Sequence, residues 1–164
     1  MTTRPADENL QHKIRTIIAK GGFATLSTTS PAGFPHAAGV VYEEVDSTLW
    51  IHTSRESRKA RNIEANAKAA IVIPFRRVPA GPPFTIQFQA HADLVAMDDP
   101  RITELIEAKK LRTLTSHGEL NMAAGTFIAI EPRGTITSFG PGARLVDIIR
   151  DPIGSGSRAF RWTP

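Results

Sequence analysis

The chain has 164 residues, 41% of them apolar and 22% charged, a balance that suits one globular core and excludes a disordered polypeptide. A net charge of +4 with few dense basic clusters is too mild for a nucleic-acid-binding face, and no apolar run is long enough to cross a bilayer, so neither nucleic acid nor membrane is an expected partner. Cysteine is absent, which rules out disulfides, thiolate metal sites and cysteine nucleophiles, and fits a cytoplasmic protein.

Met1 to Leu10 is polar and is not expected to be a secretory signal. Asp7 to Lys20 places Leu10, Ile14, Ile17 and Ile18 on one face and predicts an amphipathic helix that stops at Gly21–Gly22. Phe23 to Thr29 alternates and reads as a strand, and Ser30-Pro31-Ala32-Gly33 as a turn. Pro35 to Val45 and Thr48 to Thr53 predict two more strands around an Asp46-Ser47 turn, which together imply an antiparallel meander. Ser57 to Ala67 predicts a short helix capped by Ser57, with Ala60, Ile63 and Ala67 on one face.

Ala69 to Phe75 is a continuous apolar run and predicts a buried strand. Val78 to Pro83 holds three of the twelve prolines and reads as a loop. Phe84 to Val95 alternates over a long span and is the plainest half-buried strand. Asp99-Pro100 opens a helix with an apolar stripe at Ile102, Leu105 and Ile106. Thr126 to Ile130 and Thr135 to Phe139 are the last predicted strands. Residues 140–164 read as a Gly-, Ser- and Arg-rich tail with a short helix around Leu145 to Ile149. The expected fold is mainly β with flanking helices, a nearly closed antiparallel barrel over residues 10–139, in a single domain spanning 1–164.

One segment carries chemistry. Trp50 to Ser54 ends a strand in small hydroxyl residues, a short turn follows, and a helix opens on Ser57-Arg58-Lys59. The first turn of a helix presents unpaired N–H groups and the positive end of its dipole, so cations there are disfavoured by roughly 0.3–1 kcal/mol unless an anion joins them. Arg58 can grip a phosphate with two parallel bonds and Lys59 adds a point charge, while Thr53, Ser54 and Ser57 offer hydroxyls. The pattern points to a site for a phosphate monoester. Five histidines without cysteine or a helical His pair give no metal site, and His117 lacks the partners of a hydrolase.

The ordered set of Phe23 to Thr28, the Gly33 turn, Pro35-His36, Val40–Val41, Ser57-Arg58-Lys59, Asn66 to Ala69 and Ile71 to Ile73 resembles the pyridoxamine 5′-phosphate oxidase-related proteins, over residues 10–95. The resemblance implies a split β-barrel that works as a homodimer, with FMN bound between subunits. It implies that the backbone of Ala37 to Val41, including Val40 and Val41, lies along the flavin ring. Ser57, Arg58 and Lys59 would hold the phosphate, with His52, Thr53 and Ser54 beside the ribityl chain or phosphate. Thr85 and Gln87 would face the flavin, across the dimer; Thr85 stands where the family often has Gln.

The activity so implied is hydride transfer to or from a small-molecule substrate. The chain lacks the family's substrate-gripping Trp-x-Arg-x-His region, so the vitamin phosphate is not the expected substrate. Two alternatives on the same fold are a reductase using the deazaflavin coenzyme F-420, with Arg55, Arg61, Arg76 and Arg77 serving its acidic tail, and a non-enzymatic carrier of flavin or haem. Leu111 to Ala124 and the tail, with Arg144, Arg158, Arg161 and Trp162, are expected to form the mouth over the flavin.

Overall fold

The computed structural model describes residues 4–5, 8–76 and 84–163. Asp7, Arg77 and the proline-rich stretch 78–83 lie outside them. In chain order the elements are β1 (Arg4–Pro5), α1 (Glu8–Lys20), β2 (Phe23–Thr29), β3 (Pro35–Val41), β4 (Glu43–Val45), β5 (Thr48–Ser54), α2 (Arg58–Ala65), β6 (Lys68–Phe75), β7 (Phe84–Val95), α3 (Pro100–Glu107), α4 (Arg112–Thr115), β8 (Gly125–Phe139), α5 (Leu145–Arg150), α6 (Pro152–Gly156) and β9 (Ser157–Arg161), with a 3-10 turn at Glu119–Asn121.

Among the described residues these strands form one sheet in the order β1-β9-β8-β7-β6-β2-β3, with β5 also on β8 and β4 on β5. The pairing is antiparallel except for β1 with β9. The sheet curls into a split barrel with helices against it. Period-two alternation explains the curl's interior: Leu26, Ile71, Ile73, Ile86, Ile128, Ile130 and Ile136 point inward and are buried, with Ile14 and Ile18 of α1 packed among them. A second cluster on the other face joins Trp50, Phe127 and Ala129 to Val95, Ile102, Leu111 and Leu114, and this fixes α3 and α4 against β5 and β8.

The helix caps stand where the residue types place them. Ser57 accepts the Ala60 N–H at 3.3 Å, and Asp99 accepts the Arg101 N–H at 2.9 Å with Pro100 in the first turn.

Four expectations change. The strand predicted over Pro35 to Val45 breaks at Tyr42, because that ring is drawn into the core and its hydroxyl donates to the Ile18 carbonyl at 2.8 Å. The meander breaks with it: β3 pairs with β2 and β4 with β5, so β3 and β5 face each other without a ladder. The two last strands are one strand of fifteen residues. Its first half pairs with β5, its second half with β9, and β7 runs along both.

The tail is not a loose mouth. β9 pairs with Thr135–Phe139, and Phe160 and Trp162 are buried in the main core. Trp162 is 9% exposed, with the Arg15 guanidinium carbon 3.9 Å from its ring centroid. The alternation of Gly, Ser and Arg with few apolar residues hid this strand, whose inward positions are Arg158, Phe160 and Trp162.

Candidate active site

The seam left between β3 and β5 opens into a pocket of about 400 Å³. Gly39, Val40 and Val41 form one wall and Ile51 and His52 the other, with Lys59 of α2 at one end and Thr113, Leu114, His117 and Glu119 over the mouth. Among the described residues β3 is the last strand of its order, so its second edge has no ladder partner and borders the pocket at Gly39, Val40 and Val41. The Glu43 carboxylate accepts the Thr113 N–H at 3.1 Å and the Leu114 N–H at 3.3 Å, which pins α4 over the seam.

His52 lies opposite Phe127 on β8, with the rings edge to face and their centroids 5.1 Å apart. Its Nε2 is buried without a hydrogen-bond partner. Burial pushes its pKa below the usual value of 6.5, partly opposed by the Glu119 charge, so the ring is held neutral at physiological pH. Glu119 is held below the usual carboxylate range by hydrogen bonds from its own and the His117 backbone N–H, the latter at 2.7 Å, with the His117 and His52 charges assisting.

Lys59 is half-buried, and desolvation lowers its pKa. Neither Lys59 nor Arg58 makes an ion pair among the described residues, and the first turn of α2 holds no acid. Two cations therefore stand at the positive end of a helix without a compensating charge.

Val40, Val41, His52 and Lys59, which the family resemblance assigns to one site, line the same pocket. Arg58 is exposed in the same helical turn as Lys59. The hydroxyls are engaged locally. Thr53 reaches Ser57 Oγ at 3.4 Å, Ser57 caps α2, and Ser54 Oγ accepts the Glu56 N–H at 3.1 Å, so these three shape the turn. Thr85 and Gln87 lie on β7 and do not line this pocket; Gln87 opens onto the outer sheet face beside Val72 and Thr137. Residue reasoning missed Thr113, Leu114 and Glu119, although Leu111 to Ala124 was the segment expected over the mouth; no spacing rule connects them to Ser57–Lys59.

Residues 10–139 match the pyridoxamine 5′-phosphate oxidase family. The chain belongs to this family. No curated protein matches it. Among solved structures, the chain is similar to the heme storage protein HutZ from Vibrio cholerae, at 18% identity and a TM-score of 0.67, over 77% of this chain and 92% of that one. It is also similar to General Stress Protein 26 from Bacillus anthracis, at 24% identity and a TM-score of 0.60, over 81% and 95% of the two chains. A FAD-binding protein from Mesorhizobium loti aligns at 14% identity and a TM-score of 0.63, over 84% and 96%. At these identities the likeness shows the split-barrel fold, a fold that serves both flavin and heme binders. No helix among the described residues is long and apolar enough to cross a membrane, and none of them form a His, Asp and Glu cluster able to hold a metal ion.

Proposed function

We propose that this protein is a flavin-dependent oxidoreductase that binds FMN in the β3–β5 seam and transfers a hydride to or from a small molecule. The observation that carries the reading is the meeting of Lys59, with Arg58 beside it in the first turn of α2, and the open edge of β3 at a single pocket. The residues fit the cofactor. Arg58 and Lys59 supply charge-assisted bonds for a phosphate. The edge of Gly39–Val41 supplies backbone donors and acceptors for the polar rim of a planar ring. His52 Nε2, buried and unpaired, is the kind of orphan a ligand resolves.

Bound FMN would supply hydride acceptance and donation. The chain's own work is to bind, orient and exclude water. Val40, Ile51 and Leu114 make the walls apolar, and neutral His52 can donate or accept one hydrogen bond without adding charge. No dedicated acid or base is needed for the hydride; the ionisable groups that line the pocket among the described residues are His52, Lys59, His117 and Glu119.

The working form in this proposal is a homodimer. Gly39, Thr25, Val72, Gln87 and Thr137 are successive Cα partners across β3, β2, β6, β7 and β8, and Ala37, Ser27, Ala70 and Gln89 form the next row. The centre of this outer face is uncharged and partly exposed, with Lys68, His91 and Arg133 along one margin, a surface suited to a second copy. In such a dimer Thr85 and Gln87 would approach the partner's seam.

A second reading, a haem carrier, is favoured by one observation: two imidazoles, His52 and His117, line the pocket. It also draws on the neighbour named for heme storage. The deazaflavin reading is weaker, because Arg55 already shares a 3.2 Å contact with Glu64. Titrating the purified protein with FMN, F-420 and hemin, followed by absorbance and flavin fluorescence, decides among them. The expected outcome is one FMN per subunit, with the bound flavin reducible by an added donor. Tight hemin binding with no flavin affinity would replace the enzyme with the carrier.

A further inference from the structure

Away from the seam, the C-terminal elements build a second concavity. α5, α6 and the start of β9 surround a cavity of about 470 Å³ lined by Arg144, Arg150 and Arg158, with Asp147, Asp151 and Ser155 between them. None of its lining residues belongs to the seam. α5 is fixed in place by Ile148, which is buried against Phe84 and Ala143.

We propose that this cavity binds a small molecule through an oxyanion, a phosphate or carboxylate group. Arg158 is 9% exposed, and its Nη1 donates to the Ser155 and Ser157 carbonyls, both at 2.8 Å. A guanidinium has five donors in one plane, so these two bonds orient the plane and leave the remaining N–H groups for another acceptor. Arg144 and Arg150 are exposed on the same rim, and no ion pair neutralises any of the three among the described residues. The two carboxylates of the cavity do not take that role. Asp151 is turned to the Gly154 N–H at 2.9 Å, and Asp147 forms no ion pair. Three guanidiniums against two carboxylates leave a net positive charge around the concavity, which focuses a positive potential into it. One guanidinium held rigid by backbone and two on mobile stems are the parts of a planar, bidentate oxyanion clamp.

The test is calorimetric titration of the full chain with inorganic phosphate and, separately, with malonate, at constant ionic strength. The Arg58→Ala, Lys59→Ala variant silences the seam and is expected to keep the affinity of the wild type for whichever anion binds. Adding Arg144→Gln and Arg150→Gln to it should weaken that binding by about tenfold or more, as loss of charge-assisted bonds implies, with an unchanged near-ultraviolet circular dichroism spectrum. Asp147→Asn, which removes a repelling charge from the rim, should tighten it. Binding of phosphate but not malonate assigns a phosphate group; the reverse assigns a carboxylate. No binding of either anion, binding that vanishes with Arg58 and Lys59 alone, or binding indifferent to Arg144 and Arg150 would each overturn the proposal.

Discussion

At the scale of single residues, the seam depends on two cations and one imidazole. Replacing Arg58 and Lys59 by Ala should weaken FMN binding by about 1.5–3 kcal/mol for each phosphate bond lost and leave the thermal midpoint nearly unchanged, because neither side chain supports the core. Lys59 adds a pH signature. Desolvation lowers its pKa, and a bound phosphate favours its charged form, so binding takes up protons. FMN affinity should therefore fall as pH rises into the alkaline range, and Lys59→Arg, which stays charged, should flatten that fall; titrations in buffers of different ionisation heat would register the uptake. His52 acts on stability. Its folded pKa lies below 6.5, so on acidification the unfolded chain takes up the proton first, and stability declines as pH drops through 6.5. Urea unfolding of His52→Phe across ~pH 5 to 7 should show a shallower decline than the wild type.

At the scale of elements, the core-forming strands were the legible part. Alternation in Phe23–Thr29 and Phe84–Val95, and the apolar run ending at Phe75, fixed their ends to within a residue, since a period of two cannot be mistaken over so many positions. The Ser57 and Asp99 caps were legible for the same local reason. What escaped was set by distant partners. Tyr42 interrupts a strand only because Ile18 offers it a carbonyl 24 positions away. β9 exists only because Thr135–Phe139 presents a free edge to Ser157–Arg161.

Half of the candidate site shares this fate: Val40, Val41, His52 and Lys59 could be named through the family resemblance, whereas Leu114 and Glu119 arrive through the docking of α4 on Glu43. β9 carries its own prediction. Trp162→Ala should cost about 3–5 kcal/mol, as for other large aromatic core truncations, and removing residues 154–164 should unfold the barrel rather than merely alter turnover. Chemical denaturation of both variants measures this; a truncated chain of wild-type stability would remove β9 from the core.

At the scale of the whole molecule, the outer face of β3, β2, β6 and β7, uncharged at its centre, is the surface on which the proposed assembly turns. A charge placed at its centre should oppose burial without touching the interior. Val72→Arg is expected to convert the proposed dimer to monomer in sedimentation equilibrium at micromolar concentration and to weaken FMN binding in parallel, since each seam would lose the partner's Thr85 and Gln87. A monomeric Val72→Arg protein that binds FMN as the wild type does would separate assembly from the site. Sedimentation of the wild type as a monomer would remove assembly from the proposal altogether.

The fifteen-residue strand β8 sets the order in which this protein can come into being. β5 leaves the ribosome early, yet its ladder partner is Gly125–Ile130, synthesised some seventy residues later. Until that segment emerges, the two walls of the seam are held only by the β4–β5 hairpin and the Tyr42 anchor on α1, and β9 must then be added to the far half of the same strand. Pairings so distant along the chain make for slow folding, because the loop must be closed before any contact rewards it. The proposed cofactor therefore has no complete platform to template. A nascent chain halted before Gly125 should bind no flavin, and in refolding from denaturant the recovery of flavin binding should coincide with the slowest step.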